Sequence, residues 1–359
     1  MTILIFLIVL VVLILSHEIG HAVAAKLLGC RVEEFGLGFP PRIFGKKIGE
    51  TLFSLNLVPL GGFVKITGED LQEMSEATAD KKSFANKNWV AKLVILLAGV
   101  FMNIVLAIVL FSMIAGVGTR IPTSNAVGIA DTSKSVVEVV DVAKNDVLKS
   151  VDIKVGDDIL KINGKKVSTA EEAASEIRNY TGSKLVFEIS REGKVGNREI
   201  IFSEPHVAGK PVGLGLVDLV NYKVAWWEAP MEGVKSTWRT VKLTANGLGM
   251  ILSNLFVQHK VPSDVAGPVG IAQIVGTVGR QGFMPLIELT AVLSVNLALI
   301  NVLPIPALDG GRVLFVIIEA LGFKFFRGKK EQLAHTIGFI ALIILILLIT
   351  INDIRRIFQ

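Results

Sequence analysis

Two histidines and a glutamate near the amino terminus have the spacing of a metal site. His17 and His21 are four residues apart, so on a helix their imidazoles share one face and can bind a single zinc ion. Glu18 would then lie beside a water molecule on that ion. The pattern predicts a zinc site, and the alternative is a pair of hydrogen-bonded core histidines.

The location of these residues favours the zinc interpretation. They lie in residues 1–25, a stretch almost without charge, and ionisable side chains inside a membrane span are costly and functional by default. A helix that begins near Thr2 carries His17 about 22 Å along its axis at 1.5 Å per residue. This distance passes the middle of a bilayer about 30 Å thick, so we expect the metal nearer the cytosolic side.

A catalytic zinc site has three protein ligands, so a third must come from elsewhere in the chain. The other histidines lie in or beside external or loop segments and suit the role poorly: His206, His259 and His335. Asp309 is the better candidate because it ends an uncharged stretch where Pro304 and Pro306 prevent a regular helix. The alternative is an aspartate that caps the following helix.

The composition indicates an integral membrane protein. Hydrophobic residues make up 51% of the 359, and the mean hydropathy is +0.59, which is too apolar for a soluble globular protein. Four stretches are long enough to cross a bilayer once each: 1–25, 93–119, 289–308 and 336–352. The first lacks the basic start and the cleavage site of a secretory signal peptide.

Charge and cysteine content exclude other classes of protein and predict the orientation. The net charge is +5, but no basic run alternates with aromatic residues, so we expect no nucleic acid partner. Cys30 is the single cysteine, which excludes a disulfide within the chain. Basic residues cluster at 31–87 and 324–330, so these loops are predicted to be cytosolic and both termini external, although Arg355 and Arg356 argue mildly against it.

Residues 120–207 have the composition of a soluble domain. An alternating strand pattern precedes a hairpin turn at Asn163 and Gly164 and a helix over 169–179. This order resembles a PDZ domain of the bacterial protease type, and residues 127–129 are the candidate for its carboxylate-binding loop. The sequence Gly-Leu-Gly-Phe at 36–39 also resembles such a loop, but it lies on the predicted cytosolic side of the membrane and is not assigned this role.

Residues 208–285 are predicted to contain an amphipathic helix. Its apolar residues repeat at intervals of three and four: Met231, Val234, Trp238, Val241, Ala245, Leu248, Leu252 and Leu255. The helix either lies at the bilayer interface or packs on the spans, or it braces the external domain.

Together, four motifs identify a resemblance that covers nearly the whole chain. They are the His-Glu-x-x-His pattern at 17–21, Gly-x-x-x-Asn at 99–103, Gly-Pro-Val-Gly at 267–270 and Asn-x-x-Pro-x-Pro-x-Leu-Asp-Gly at 301–310. In this order they resemble the site-2 protease family, specifically its bacterial PDZ-bearing intramembrane metalloproteases. The resemblance implies that His17, His21 and Asp309 bind Zn²⁺ and that Glu18 is the general base.

The resemblance also implies roles for less distinctive residues. Asn296 and Asn301 match asparagines that hold the substrate backbone or the developing oxyanion, although a packing role is as plausible. For Gly99 and Asn103, structural support through close helix packing is the favoured role.

The segment 51–65 resembles the family's re-entrant β-loop, with Gly61, Gly62 and Phe63 at the end that would hold an extended substrate. The alternative is an ordinary cytosolic hairpin.

The sequence therefore predicts an α-helical polytopic membrane protein of about four transmembrane helices with a re-entrant β-loop and an inserted α+β PDZ domain. Its parts are a first membrane part at 1–119, the extracytoplasmic PDZ domain at 120–207, the helix and connection at 208–285 and a second membrane part at 286–359. The predicted function is intramembrane proteolysis of single-span proteins in a bacterial cytoplasmic membrane, with an anti-sigma factor or a signal-peptide remnant as substrate by analogy. The alternative is a non-catalytic PDZ-bearing scaffold with a structural metal.

Overall fold

The structure, a computed structural model, describes residues 2–69, 80–123, 135–143, 148, 151–191, 193–202, 204–209, 211–257, 266–323 and 329–357. The chain forms two compact units. The membrane unit comprises 1–113 with 229–359, and the sheet unit comprises 114–228. The first strand of the sheet unit begins at Thr119 and its last strand, Leu214–Tyr222, lies beyond the predicted boundary at 207. The external domain at 120–207 stays a prediction.

Four helices of the described residues are long and apolar enough to cross a membrane. They are α1 (Thr2–Leu27), α2 (Trp89–Val117), α6 (Phe283–Val302) and α8 (Lys329–Ile357). The third span was expected at 289–308, but α6 begins earlier and ends at Val302. The prolines at 304 and 306 explain this end, since neither can donate the backbone hydrogen bond that continues a helix.

The helices α1 and α2 pack closely in the half of α1 that carries the two histidines. Gly20 of α1 lies against the backbone of Ala98 and Gly99, where a Cβ atom would clash. Nearer its amino terminus, α1 packs against α5 (Pro268–Gln281), and Val9, Leu13 and Val275 are buried there. The first span is therefore held on two sides by other helices, which keeps its histidine face in a defined direction.

Two long bent strands, β1 (Val32–Ile48) and β2 (Thr51–Ile66), follow the first span. Gly36 of β1 pairs with Phe63 on one side and with Ser54 on the other. Each strand therefore contributes two arms, and the arms lie in the order 61–66, 32–39, 51–58 and 42–48. The arm 61–66 is an outer edge, and among the described residues no strand pairs with its far side.

The described residues of the sheet unit include an antiparallel sheet and a helix that packs on it. The strands are β3 (Thr119–Pro122), β4 (Val136–Val142), β5 (Asp158–Ile162), β6 (Lys165–Lys166), β7 (Lys184–Arg191), β8 (Lys194–Ile201) and β9 (Leu214–Tyr222). Their order is β3-β9-β4-β5-β7-β8, with β6 paired to β5. The helix α3 (Ala170–Asn179) packs over a core that includes Val139, Leu185 and Phe187.

Two local predictions for this unit are confirmed. Asn163 and Gly164 have φ of 49° and 79° and connect β5 to β6 as a tight hairpin. The helix at 169–179 also forms, with the Thr169 hydroxyl accepting from the Glu172 N–H as its N-cap. The PDZ assignment itself stays a prediction, and residues 127–129 lie outside the described part of the chain.

The amphipathic helix forms as α4 (Ala229–Val257) in the membrane unit. Met231 and Trp238 of the apolar stripe are 61% and 59% exposed, whereas Glu232 and Thr237 are buried. Gly233 lies against Ser112 and the Ile108 carbonyl of α2. The helix thus turns its polar side to the spans and its apolar side outward, which is the arrangement expected in contact with lipid. The side chains of Leu252 and Leu255 lie outside the described residues.

Candidate metal centre

Three predicted ligands meet in the membrane unit. The Nε2 atoms of His17 and His21 are 3.1 Å apart, and the Asp309 Oδ2 atom is 3.0 Å from the first and 3.4 Å from the second. Ligand atoms about 2.0–2.1 Å from a tetrahedral zinc ion are about 3.3 Å from one another. The three atoms therefore have the spacing of three corners of a zinc tetrahedron, which leaves a fourth corner for water or substrate.

The aspartate reaches the histidines because a short irregular loop at 303–308 precedes α7 (Asp309–Ala320). Gly310 and Gly311 lie so close to the backbone carbonyls of Val302 and Ile305 that a Cβ atom at either glycine would clash. Asp309 Oδ2 is shut off from solvent and accepts no hydrogen bond from a described residue. A buried carboxylate oxygen needs a positive partner, and a metal ion between it and the imidazoles supplies one.

Hydrogen bonds on the far side of each ring leave the Nε2 atoms available. His21 Nδ1 is 2.8 Å from the Ile95 carbonyl oxygen, so Nδ1 carries the proton and donates it. His17 Nδ1 is 3.4 Å from the amide nitrogen of Asn103, while the buried Asn103 Oδ1 has no partner among the described residues. Exchanging the amide oxygen and nitrogen, which have nearly the same shape, lets His17 Nδ1–H donate to Asn103. Both rings then offer Nε2 to one ion.

Gly99 makes room for both imidazoles. A Cβ atom there would be 2.7 Å from His17 Cε1 and even closer to His21 Nε2. The two residues of the Gly-x-x-x-Asn motif thus contact the ligands directly, one by allowing their approach and one through its amide. These two contacts give a physical reason for the supporting role predicted for Gly99 and Asn103.

The three predicted ligands line a cleft of about 510 Å³. Its lining includes Glu18 and the edge arm of β2 from Gly62 to Ile66. A Cβ atom on Gly62 would lie 3.3 Å from Glu18 Cγ, so the strand passes close to the predicted base. Gly61 lies against the ring of Phe39, and Phe63 is part of the cleft wall.

The two predicted asparagines are in different surroundings. Asn301 Nδ2 is 3.4 Å from His17 Nε2, which places this amide beside the three ligand atoms. Asn296 accepts a 2.8 Å hydrogen bond from the Thr244 hydroxyl of α4, and it is not among the residues that line the cleft. Asn296 therefore connects α6 to α4, whereas Asn301 contacts one of the predicted metal ligands.

Sequence reasoning missed an ion pair in the wall of the cleft. Arg312 of α7 bonds to Glu69, which follows β2. Arg312 lies one helical turn after Asp309, so its position near the metal ligands was readable from the i, i+3 spacing. Glu69 carried no comparable signal, because its approach depends on how the β arms pack against α7.

A second cleft, of about 340 Å³, lies between α3 and the start of β9 in the sheet unit. Its walls include Ile177, Arg178, Leu214 and Leu216. Residues 213–216 have the sequence Gly-Leu-Gly-Leu, which differs at one position from the Gly-Leu-Gly-Phe sequence at 36–39. This run of residues was visible in the sequence, but it lay after the domain boundary predicted at 207.

Comparison with known proteins identifies the group to which the chain is similar. The sequence profile of peptidase family M50 matches residues 5–345. A Clostridium perfringens protein provisionally named a zinc metalloprotease is 33% identical over 344 residues, which cover 95% of each chain. The zinc metalloproteases RasP of Geobacillus kaustophilus and Oceanobacillus iheyensis are each 28% identical, over 98% and 99% of this chain and 97% and 99% of their own.

Proposed function

This chain belongs to peptidase family M50, and we propose that it is an intramembrane zinc metalloprotease that hydrolyses peptide bonds in or near the transmembrane segments of single-span proteins. The observation that carries the proposal is the approach of the His17, His21 and Asp309 ligand atoms to within 4.8 Å of one another. Two helices separated by nearly three hundred residues contribute them. The names of the relatives support zinc as the ion.

His17 and His21 would bind the ion through Nε2, and Asp309 would bind it through Oδ2. When bound, zinc lowers the pKa of a water ligand to about 7 and polarises the scissile carbonyl group. A structural zinc ion takes four protein ligands, and the described residues offer a cluster of three. The ligand count therefore favours catalysis over the scaffold alternative.

Glu18 supplies the general base. Its carboxylate lines the same cleft as Asp309 and follows His17 directly in the chain. It accepts a proton from the attacking water and delivers that proton to the leaving amine nitrogen, so the bond breaks without releasing an unstable amide anion. The Asn301 amide, beside the ligand atoms, is suited to donate to the carbonyl oxygen as negative charge develops there.

The edge arm 61–66 is suited to hold the substrate. A protease needs its substrate extended, and an unpaired strand edge binds an extended chain by backbone hydrogen bonds. Gly62 leaves space between this edge and Glu18. A helical substrate segment must therefore unwind before it is cut.

We further propose that the site faces the cytosolic half of a bacterial membrane and that the sheet unit is an extracytoplasmic PDZ domain. In that place the domain would exclude substrates with bulky external parts, so that cleavage follows an earlier cut by another protease. Deleting residues 119–222, which hold the sheet from β3 to β9, should then allow cleavage of substrates that no other protease has cut. If such substrates remain uncut, the size-filter role is wrong.

The decisive experiment replaces Glu18 by Gln in the purified chain, reconstituted with a candidate single-span substrate. We expect cleavage to fall by about 10²–10⁴-fold while one zinc ion per chain is retained. Glu34→Gln is the matched control, because Glu34 is a carboxylate of β1 whose bond goes to Arg42 on the surface. Full turnover by Glu18→Gln with zinc bound would contradict the role of Glu18 as base, whereas a wild-type chain that binds zinc and cleaves no substrate would favour the scaffold.

A further inference from the structure

The loop that delivers Asp309 contains a strained residue. Ala307 has φ of 85°, a region that side chains with a Cβ atom rarely adopt. Such a conformation persists only where its surroundings hold it, and it is found preferentially at functional sites. Ala307 precedes Asp309 by two residues, so relaxation of its backbone would displace the carboxylate from the two imidazoles.

His335 of the last span holds this residue. Its Nδ1 accepts a 3.1 Å hydrogen bond from the Ala307 N–H. No other polar contact is described for the ring, and its Nε2 is buried without a partner among the described residues. The ring packs against Phe315 of α7 with centroids 5.3 Å apart. Among the described residues, the Ala307 N–H is thus the hydrogen-bond partner seen for this imidazole.

A glycine one turn further along α8 makes the same loop contact. Gly338 lies against Pro306, where a Cβ atom would be 2.6 Å from Pro306 Cβ and closer still to its carbonyl oxygen. His335 and Gly338 are three residues apart, so they lie on one face of the helix. This face therefore packs directly on the two residues that precede Leu308 and Asp309.

We infer that His335 is a positioning residue for the Asp309 ligand: by accepting the Ala307 N–H it keeps the loop in the conformation that brings Oδ2 to the metal. This inference rests on the proposed zinc site. His335 is not itself a ligand, since it lies outside the cluster of three. Partners that orient metal ligands typically change metal affinity by about 10–100-fold when removed.

The test compares two substitutions in the full-length protein in detergent. His335→Leu keeps the size and removes the acceptor, whereas His335→Asn keeps an acceptor near the Nδ1 position. Thr336→Ala is the control, because the Thr336 hydroxyl donates to the Gln332 carbonyl of its own helix. The readouts are the rate at which a chelator removes Zn²⁺ and the visible absorption of the Co²⁺-substituted protein.

We expect His335→Leu to release zinc about 10–100-fold faster and to change the Co²⁺ spectrum, with the Asn and Thr336 variants near wild type. Equal release by wild type and His335→Leu would overturn the inference, as would an Asn variant as defective as the Leu variant. A wild-type chain that binds no zinc would instead overturn the proposed function.

If His335→Leu alone does not fold, the same substitution is tested in a protein that also carries Ala307→Gly. Ala307→Gly relieves the strain, since glycine adopts positive φ readily. In the Ala307→Gly protein, His335→Leu should speed the release of zinc to the chelator by at most a few-fold. An undiminished loss there would contradict a role through Ala307.

Discussion

Each proposed metal ligand is oriented by a different chemical group. A backbone carbonyl orients His21, an amide side chain orients His17, and a strained loop delivers Asp309. The carbonyl group of Ile95 remains when the Ile95 side chain is replaced, whereas a substitution can remove the Asn103 amide or change the conformation of the loop. Sensitivity to mutation should therefore concentrate around His17 and Asp309.

Replacing Gly99 by Ala should disrupt the metal site. The added methyl group would occupy space taken by both imidazoles, and a displacement of about 1 Å at a catalytic centre costs on the order of 100-fold in rate. Zinc content and cleavage rate are the measurements. Gly247→Ala is the control, because a Cβ atom there meets nothing within 4 Å, and an equal loss in both variants would contradict the steric argument.

Replacing Asn103 by Ala should weaken zinc binding by about 10–100-fold, because His17 Nδ1–H loses its buried acceptor. The measurement is the zinc dissociation constant by competition with a chelator. Ser294→Ala is the matched control, since the Ser294 hydroxyl donates to the backbone carbonyl of Asn103 and not to its amide side chain. If zinc affinity is unchanged in Asn103→Ala, the amide does not orient the ligand.

At the scale of elements, the last span is fixed at both ends. His335 and Gly338 contact the loop at 303–308, which precedes Asp309. Near the other end of α8, the Asp353 carboxylate accepts hydrogen bonds from the N–H groups of Gly267 and Gly270. Gly267 is the N-cap residue of α5 and Gly270 lies in its first turn, so a carboxylate from α8 caps a different helix. The motif Gly-Pro-Val-Gly at 267–270 is thereby explained as a docking site for α8, since a Cβ atom on Gly267 would lie 2.8 Å from Asp353 Oδ2.

Asp353→Ala should destabilise the membrane unit by about 1–2 kcal/mol, the usual cost of losing a helix cap. Asn should restore part of the loss, because it keeps an acceptor and loses the charge. Thermal unfolding in detergent, followed by helical circular dichroism, measures the effect. Thr350→Ala is the control, since its hydroxyl bonds to Ile346 of the same helix; matching melting curves for Asp353→Ala and wild type would exclude the cap.

At the scale of the whole molecule, the site must bring water into a protein that consists largely of apolar helices. The cleft has charged residues in its wall, namely Glu18, Lys65, Glu69 and Arg312, and non-helical backbone at membrane depth is tolerated where it lines a wet cavity. The loop at 303–308 meets this condition. Hydrolysis in the membrane is thus compatible with the unwound segment that carries Asp309.

The proposed orientation can be tested with cysteines, because Cys30 is the single natural one and is buried. In a Cys30→Ala background, Lys194→Cys should react with an impermeant maleimide added to intact cells. Lys46→Cys should react only after the membrane is opened. Both positions are exposed on strands, so a reversed pattern would invert the topology.

The sequence alone was sufficient for the family and for the presence of four spans, and it predicted the metal ligands, because each of these depends on local spacing or on a continuous run of residues. His17 and His21 share a helix face through the helical period, and a span is recognised by its length and lack of charge. The limits of the third span were misjudged by several residues, since hydropathy continues through Pro304 although the helix does not.

The contacts that orient the ligands depend on the packing of segments far apart in the chain. No local pattern links His335 to Ala307, Asp353 to Gly267 or Glu69 to Arg312, because each pair joins separate elements. The two-sided pairing of β1, which leaves the arm 61–66 at an edge, is likewise a property of the assembled sheet. Such contacts form when helices and strands bury their surfaces together, and a single sequence contains no periodic trace of them.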